Sequence, residues 1–483
     1  GAVGKLLNNI TERWLTQIVE ADPAIIDMFK YPELKPYRPL LPWSGEFAGK
    51  YLTGAAQIYS YTGNERLGAY ISDFVKLLID CQQPNGYLGP YPKEFQLTGR
   101  TTKDLPCYEN TEFQPEETWD CWGHYHIMRG LMLWNGISGD ETALDATKKI
   151  ADLFCNSFYG PGKKRLSETG CSEMNLSPIH SFSLLYQKTG CKKYLDFAMS
   201  VFSDMENEQC GDFYRQALAG VPFYKMTKPR WEGMHVIEGI EALYEITGDS
   251  DKRRAFENLW WSITETDLHN TGGFTTDEQA MGTPFKEGRI ETCCTIAYMA
   301  VTVDMLRLTG NSICADVLEW CFLNSGIGVF SPSGRWSVYD TPMRGYKRAS
   351  HQAIGFQSRP GSPDLNCCSV NAPRAFGFLT DWAYMEDSEG LVINYFGLCD
   401  SQITLENGAT VTVRQETDYP SSGHIRLFIS SDCVEALAVK IRIPFWSGNA
   451  KIRVGGESAV SVSPGGSGSP VCTWYLPPSP RPG

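Results

Sequence analysis

The chain has 483 residues, 42% of them hydrophobic and 20% charged, an ordinary composition for a globular protein with room for two or three domains. The formal net charge of −13 argues against a nucleic-acid surface, because phosphate binding needs clustered Lys and Arg. No run of about 18 apolar residues is present, so we expect no membrane-spanning helix. From the charge and the hydropathy together, we expect neither a nucleic acid nor a membrane as a partner.

A short phrase recurs between helical apolar stretches, and each copy ends in Thr-Gly or Ser-Gly plus one further residue. The copies span 61–64, 137–140, 188–191, 246–249 and 308–311. The Gly suits a left-handed helix cap, and a following Asn or Asp can cap the next helix. The repeat predicts αα-hairpins, and about twelve helical segments between Ile10 and Leu379 predict six of them. Six hairpins closed in a ring make an (α/α)6 toroid, although an open solenoid would share the repeat.

Several polar residues at the starts of these helices are candidate sugar contacts. Glu46 and Lys50 are one helical turn apart and either face the ring interior or pair in solvent. His124 and His235 lie beside aromatic residues and Gly at helix starts, and His180 precedes another predicted helix. Each histidine is either a hydrogen-bond partner of a sugar hydroxyl or a packing residue whose nitrogens are satisfied by the protein.

The helices are joined by long loops, which on a rigid helical frame are common places for ligands to bind. The loop at 272–289 begins Gly-Gly and contains Glu278, 13 residues before Glu291. A carboxylic acid near a metal could protonate a leaving group. The alternative for any single loop glutamate is a solvated side chain.

Two cysteine pairs lie far apart in the chain, and the first follows a glutamate. They are Glu291-Thr292-Cys293-Cys294, at the start of a helix predicted at 296–308, and Cys367-Cys368, at the start of a helix predicted at 372–382. Helix N-termini favour thiolates and carboxylates. Together, three thiols and one carboxylate form a tetrahedral set of three sulfurs and one oxygen, which is suited to zinc.

The alternatives to a reactive metal site are a buried cluster of reduced cysteines and a purely structural zinc, because the usual Cys-x-x-Cys spacing is missing. Cys294 is the spare member of the first pair, and we expect it to pack in the core. The chain has 16 Cys without the regular spacing of a disulfide framework, which favours a reducing compartment. A secreted or periplasmic location is compatible with a removed signal peptide.

The pattern changes to a period of two after about Asp387. Strands are predicted at 391–396, 410–413, 424–430 and 437–443. They indicate an antiparallel β-sandwich, or part of one. We therefore predict a helical domain at 1–385 and a sandwich domain at 386–483. The sandwich is either whole or lacks strands at its C-terminal end.

The chain resembles glycoside hydrolase family 127, the β-L-arabinofuranosidase family with a cysteine nucleophile. The resemblance covers nearly the whole chain. The matching motifs are Glu-Thr-Cys at 291–293, Cys-Cys-x-x-Asn-x-x-Arg at 367–374, the Gly-Gly…Glu loop at 272–278, Gly-His at 123–124, His235, and the sandwich stretches 417–420 and 442–446. Members of this family have an (α/α)6 barrel followed by β-sandwich domains.

The resemblance implies a role for each matching position. Glu291, Cys293, Cys367 and Cys368 would bind Zn²⁺, and Cys367 would also attack the anomeric carbon. Glu278 would protonate the leaving oxygen and later activate water. The anomeric configuration would be retained, with acid and nucleophile roughly 5 Å apart. The implied substrate is a glycan with a terminal β-L-arabinofuranosyl residue.

The chain departs from the family pattern in three places. The Gly-Glu-x-Phe form around the acid reads Asp277-Glu278-Gln279-Ala280, so Asp277 and Glu287 compete for the role. A histidine expected near 175–180 aligns with either Asn175 or His180. Cys294 replaces a smaller residue. Rival functions are another (α/α)6 enzyme, such as a sugar epimerase or an unsaturated-uronide hydrolase, and a non-catalytic carbohydrate-binding protein with structural zinc.

Overall fold

A computed structural model describes residues 1–38, 40–101, 117–353, 364–464 and 471–476. Its contacts divide the chain into two compact units. The larger contains Leu6–Val301 and Cys321–Gly377, and the smaller contains Gly1–Lys5, Thr302–Trp320 and Phe378–Gly483. The domain boundary at 385/386 stays a prediction. Among the described helices, none is both long enough and apolar enough to cross a bilayer.

The chain is mainly helical, with small sheets toward its C-terminus, and its fold is a toroid of helical hairpins followed by a β-sandwich. The longer helices of the described residues are α4 (Glu46–Thr62), α5 (Glu65–Ile79), α6 (Asp120–Ser138), α7 (Glu141–Phe158), α9 (Pro178–Thr189), α10 (Lys192–Met205), α12 (Gly233–Thr247), α13 (Ser250–Thr266), α14 (Thr292–Thr309) and α15 (Ser312–Cys321). The shorter ones are α1 (Ala2–Ile10), α2 (Ile18–Ala21), α3 (Ala24–Lys30), α8 (Ser172–Asn175), α11 (Phe213–Leu218), α16 (Ser350–Ala353), α17 (Cys367–Asn371), α18 (Arg374–Gly377) and α19 (Leu379–Trp382).

The recurring Thr-Gly and Ser-Gly phrases form the hairpin corners, as the sequence predicts. The glycine of each phrase has a positive φ, between 58° and 74°. Asn64, Asp140, Asp249 and Asn311 accept a backbone N–H of the helix that follows. Cys191 caps α10 without a side-chain hydrogen bond. These corners join α4 to α5, α6 to α7, α9 to α10, α12 to α13 and α14 to α15.

Helices of two kinds alternate along the chain. The first helix of a pair is apolar on most sides, so that α4 is buried from Glu46 to Ile58 and α12 from Gly233 to Leu243. The second helix buries one face only, as in α5 and α7. A helix buried all round belongs in the interior, and an amphipathic one belongs outside. The first helices therefore form the inner wall.

Small residues bring α4 and α6 into backbone contact. A Cβ on Gly49 would lie 2.2 Å from the carbonyl carbon of His126, and a Cβ on Gly123 would lie 3.1 Å from the carbonyl carbon of Gly45. Only glycine permits so close an approach. The contact fixes Glu46 and Lys50 of α4 against the N-terminal turns of α6.

Two helices differ from their predicted limits. The helix predicted at 296–308 begins at Thr292, so Cys293 lies inside it. The helix predicted at 372–382 is divided into α17, α18 and α19. Asn366 starts α17 with a capping box, and Pro373 lacks the amide hydrogen that would carry α17 into α18.

The sandwich consists of two sheets that share one core. Its strands are β3 (Tyr384–Asp387), β4 (Gly390–Ile393), β5 (Cys399–Thr404), β6 (Thr410–Thr417), β7 (Ile425–Ser431), β8 (Leu437–Arg442) and β11 (Val471–Leu476). One sheet has the order β11-β8-β4-β3 and the other β5-β6-β7. Leu391 and Val439 of the first sheet pack with Val411 and Val413 of the second.

One pair in the sandwich departs from the predicted antiparallel arrangement. Strands β4 and β8 are parallel, with Leu391 opposite Val439. The chain between them forms the other sheet, which supplies the long connection that parallel strands need. Two further small antiparallel pairs lie in the described part of the chain, β1 (Arg289–Glu291) with β2 (Asp340–Pro342) and β9 (Ala450–Ile452) with β10 (Val460–Val462).

Candidate active site

The two cysteine motifs meet because a strand and two helix starts converge. Glu291 ends β1, which pairs with β2, and Cys293 follows in the first turn of α14. The carbonyl of Tyr339 accepts the N–H of Thr292 at 2.9 Å and holds this turn. Cys367 and Cys368 open α17, where the Asn366 side chain accepts the N–H of Cys368 at 3.0 Å.

The four side chains form a compact buried cluster. The Sγ of Cys368 lies 3.3 Å from Oε1 of Glu291 and 3.5 Å from the Sγ of Cys293. The Sγ of Cys367 lies 3.8 Å from the Sγ of Cys368 and 3.8 Å from Oε1 of Glu291. Around a tetrahedral zinc with bonds of about 2.3 Å, sulfurs are separated by about 3.8 Å. All four ligand atoms lie within 4.8 Å of one another, so this cluster could hold a metal ion.

A lysine and an asparagine contact the Cys293 sulfur of the cluster. Lys50 lies 3.7 Å from the Sγ of Cys293 and 2.9 Å from Glu46, and the amide of Asn371 donates to the same sulfur at 3.4 Å. Burial would raise the pKa of Cys293, but the hydrogen bonds from the other two thiols and the Lys50 ammonium lower it well below its usual value. The Lys50–Glu46 pair is buried, so its pairing in solvent is ruled out.

A cavity of about 310 Å³ opens beside the cluster. Its lining combines aromatic rings with carboxylates, and two arginines lie among them. The lining residues are Trp43, Glu46, Trp119, Arg230, Trp231, Glu232, Asp277, Glu278, Arg289, Glu291, Tyr339, Asp340 and Cys367. Cys367 lines the cavity and is 4% exposed, whereas Cys293 and Cys368 are fully buried. A ligand in the cavity would therefore meet Cys367 rather than the other two sulfurs.

Glu278 reaches the same cavity from the loop that precedes β1. Its carboxylate accepts a hydrogen bond of 2.7 Å from Arg230, which also forms a two-pronged pair with Glu232. Burial raises the pKa of Glu278 above its ordinary value, against the lowering effect of Arg230. A carboxyl with a raised pKa stays protonated to higher pH, as a proton donor requires.

The two competing acids lie in different surroundings. Asp277 also lines the cavity, but its carboxylate accepts the backbone N–H of Arg289 at 3.3 Å. The side chain of Glu287 is 72% exposed and lies 3.7 Å from Arg344. Glu287 is not among the cavity residues, so the geometry favours Glu278 and then Asp277.

His124 is a packing histidine by its contacts. Its Nε2 accepts the N–H of Leu88 at 3.2 Å, and its Nδ1 bonds the carbonyl of Asp120 at 2.8 Å. The side chain is fully buried and is not among those that line the cavity. Both ring nitrogens are thus used by the protein, and a contact with substrate stays a prediction.

His180 and His235 belong to a buried network on the inner helices. The Tyr125 hydroxyl lies 3.1 Å from Nδ1 of His180 and 3.0 Å from Nδ1 of His235. Glu238 lies 2.6 Å from that nitrogen of His235. Burial lowers the pKa of His235 to about 4, so the ring is neutral at neutral pH. Neither histidine is among the cavity residues, and their contact with substrate also stays a prediction.

The sequence interpretation missed most of the cavity wall. It considered the stretch Trp231-Glu232-Gly233-Met234-His235 for its histidine, whereas Arg230, Trp231 and Glu232 are the residues that line the cavity. The available signal for this part of the wall was an arginine, an aromatic residue and a glutamate at consecutive positions just before a buried helix. Asn175 accepts the N–H of Trp122 and donates to the carbonyl of Thr118, and is buried outside the cavity.

Comparisons with known proteins agree with these observations. The family model of the β-L-arabinofuranosidase GH127 catalytic domain matches residues 8–379, and that of the GH127 middle domain matches residues 390–468. A non-reducing end β-L-arabinofuranosidase of Bifidobacterium longum is 25% identical over 462 residues, which cover 85% of this chain. The chain spans 66% of the length of that relative.

Two solved structures share the fold over nearly the whole chain. One is a GH127 β-L-arabinofuranosidase from Geobacillus stearothermophilus T6, with a TM-score of 0.73 and 19% identity, covering 98% of this chain and 79% of that one. The other is a GH127 β-arabinofuranosidase, with a TM-score of 0.73 and 20% identity, covering 98% of this chain and 76% of that one. At these identities the likeness establishes the fold alone.

Proposed function

Because the chain belongs to glycoside hydrolase family 127, we propose that it is a retaining exo-glycosidase that removes terminal furanosidic residues, β-L-arabinofuranosyl above all, from glycans. One observation carries the proposal. Cys367 belongs to a buried cluster of one glutamate and three cysteines, and it also lines a cavity that contains a carboxylic acid on its opposing loop. The names of the similar proteins support the choice of sugar.

The donor set of the cluster suits zinc. Glu291, Cys293, Cys367 and Cys368 would hold the ion, since soft thiolates with one carboxylate favour zinc over calcium or magnesium. Bound zinc would keep the Cys367 sulfur deprotonated at neutral pH without a base. Lys50 and Asn371 would contribute a positive charge and a hydrogen bond to the Cys293 sulfur.

In the first step, the Cys367 thiolate attacks the anomeric carbon and forms a carbon–sulfur bond. The glycosidic carbon–oxygen bond breaks, its electron pair stays on the oxygen, and Glu278 gives its proton to that oxygen. The product of this step is a glycosyl group on Cys367 and a free alcohol. Both side chains line the same cavity, which supports their acting on one bond.

In the second step, Glu278 acts as a base. Its carboxylate takes a proton from water, the water oxygen attacks the anomeric carbon, and the carbon–sulfur bond breaks to return the Cys367 thiolate. Two displacements on opposite faces retain the anomeric configuration. The raised pKa of Glu278 favours the proton-donating form before the first step.

The cavity suits a single terminal sugar. Its volume of about 310 Å³ is at the small end of ligand pockets, which span about 300–1,000 Å³. Trp43, Trp119 and Trp231 offer apolar ring faces, and Glu46 offers an acceptor for hydroxyls.

A panel of aryl glycosides tests the proposal. We expect hydrolysis of the aryl β-L-arabinofuranoside and much slower hydrolysis of pyranosides, with the β-anomer of the free sugar seen first by proton NMR. One zinc per chain is expected by elemental analysis. Inversion at the anomeric carbon would contradict the nucleophile, and a folded, zinc-loaded protein that cleaves no furanoside would instead support a binding protein with structural zinc.

A further inference from the structure

Arg230 occupies a defined place in the cavity wall between two glutamates. Its Nε and Nη2 donate to the two carboxylate oxygens of Glu232 at 3.0 and 2.8 Å. The same Nη2 donates to Oε2 of Glu278 at 2.7 Å. The Glu232 side chain is only 1% exposed, so the fork is anchored on a fixed partner. A guanidinium held by two parallel bonds is set in one orientation before it meets a third group.

The main chain of Glu278 is attached to the same segment. The N–H of Trp231 donates to the carbonyl of Glu278 at 3.3 Å, and the N–H of Ala280 donates to the carbonyl of Pro229 at 2.8 Å. Arg230 and Gln279 form an antiparallel bridge between these bonds. The backbone and the carboxylate of Glu278 therefore depend on residues 229–232 together.

The loop needs this support because its backbone is in an unfavourable region. Asp277 and Glu278 have φ values of 51° and 67°, in the left-handed region that costs most residues energy. Asp277 is held by its N–H bond to the carbonyl of Arg289. For Glu278 the corresponding restraints come from Trp231 and Arg230.

Resting on the proposed acid role of Glu278, we propose that Arg230 is a positioning residue for the reaction. Anchored by Glu232, its guanidinium holds the Glu278 carboxyl where it protonates the leaving oxygen. When the proton has moved to that oxygen, the resulting carboxylate stays hydrogen-bonded to Arg230. The arginine thus acts on bond breaking only through Glu278.

If Arg230 positions the acid, its loss should affect the rate differently for different leaving groups. A basic leaving group, such as methanol or a sugar alcohol, needs a proton as its bond breaks, whereas 4-nitrophenolate leaves without help. Loss of a positioned acid therefore slows the first class of substrate far more than the second. A general disturbance of the cavity would slow both classes by the same factor.

The test compares Arg230→Gln and Arg230→Lys on methyl and 4-nitrophenyl β-L-arabinofuranosides. For Arg230→Gln we expect kcat/KM on the methyl glycoside to fall about 10²-fold, and less than about tenfold on the nitrophenyl glycoside. Arg230→Lys keeps the charge without the fork and should show the same selectivity with a smaller loss. Arg215→Gln, at an exposed surface pair, is the matched control and should behave as the wild type.

Two results would overturn the proposal. One is an equal loss on both substrates, which indicates a structural role. The other concerns the double variant Arg230→Gln with Glu278→Gln. A fold-loss in kcat/KM equal to the product of the two single losses would mean that the residues act independently, whereas a residue that acts through Glu278 adds nothing once that acid is gone. Wild-type inactivity on every furanoside would instead refute the proposed function, so the two failures are distinguishable.

Discussion

Two arginines in this protein each bind two carboxylates, and their surroundings differ. Arg442 of β8 pairs with Asp316 and Glu319 of α15 and donates to the carbonyl of Asn394 at 2.7 Å. The side chain is fully buried, and the Tyr419 hydroxyl occupies the remaining oxygen of Glu319. We call this set the sandwich cluster and the Arg230–Glu232–Glu278 set the cavity cluster.

The cavity cluster leaves one carboxyl group facing a cavity, whereas protein covers every charged group of the sandwich cluster. The Glu278 side chain is 32% exposed and lines a space large enough for a ligand, and its backbone is held in the left-handed region. In the sandwich cluster each charged group is covered by protein. The lesson is that a buried ion pair by itself does not indicate a reactive site, whereas an ion pair that leaves a carboxyl facing a cavity does.

The largest expected effect is on the sulfur that faces the cavity. Cys367→Ala should lower kcat by more than about 10⁴-fold, because the proposed nucleophile is gone, and should reduce the zinc content. The measurements are hydrolysis of an aryl furanoside and elemental analysis. Cys155→Ala, at a buried thiol of the outer helix α7, is the matched control and should keep the wild-type rate. A Cys367 variant with near-normal turnover would remove this residue from the mechanism.

The next largest effect is expected for the loss of the Glu278 carboxyl group, which should change the rate but not the stability. Glu278→Gln should lower kcat by about 10²–10⁴-fold on unactivated substrates, with little change in melting temperature. Burial raises the pKa of Glu278, so the wild-type rate should fall as pH rises through that value, and the variant should lack this limb. The pH–rate profile is the measurement, and exposed Glu287→Gln is the control. An unchanged profile in the Glu278 variant would favour Asp277 as the acid.

For the sandwich cluster we expect the opposite pattern. Arg442→Met leaves Asp316 and Glu319 buried without their cation, and should lower the free energy of unfolding by about 3–5 kcal/mol. The rate per folded molecule should be unchanged. Urea unfolding measures the loss, and Arg414→Gln, at an exposed pair with Glu416, should cost about 0–1 kcal/mol. Equal losses in the free energy of unfolding for Arg442→Met and Arg414→Gln would show that the buried sandwich cluster stabilises the fold no more than an exposed ion pair does.

The smallest effect concerns the helical frame. Cys191 caps α10 without a side-chain bond, whereas Asp140 and Asp249 at equivalent corners accept a backbone N–H. Cys191→Asp should therefore raise the free energy of unfolding by about 1 kcal/mol without changing the rate. Thermal unfolding measures the gain, with Cys191→Ala as the control. An aspartate no better than alanine would show that this corner does not admit the cap.

The sequence predicts best what local chemistry determines. The hairpin corners follow from a glycine and its neighbour, and strands β4, β6, β7 and β8 follow from a period of two. Strands β3, β5 and β11 of the sandwich were not predicted. The Glu291–Cys293 and Cys367–Cys368 motifs were predictable as a cluster that could hold a metal ion, because the residue types are rare together. Their approach to one another was inferred from that chemistry, not from spacing.

Long-range contacts account for what was missed. The Arg230–Glu278 pair joins residues 48 positions apart, and neither residue is unusual in its own segment. The parallel pairing of β4 with β8 depends on the path of the intervening sheet. Burial of Lys50 depends on Cys293 and on the Trp122 and Trp231 rings at 5.5 and 5.1 Å from its nitrogen. No local pattern encodes these partners.

The contact of α4 with α6 limits how this site can diversify. Because the backbone at Gly49 touches that of His126, the two helices cannot slide or separate without creating a clash or a gap. Glu46 therefore keeps a fixed position in the cavity wall, and Lys50 keeps one beside the Cys293 sulfur. A substitution at Glu46 would change the groups that face the cavity, but the distance between this part of the wall and the sulfur cluster is not free to vary.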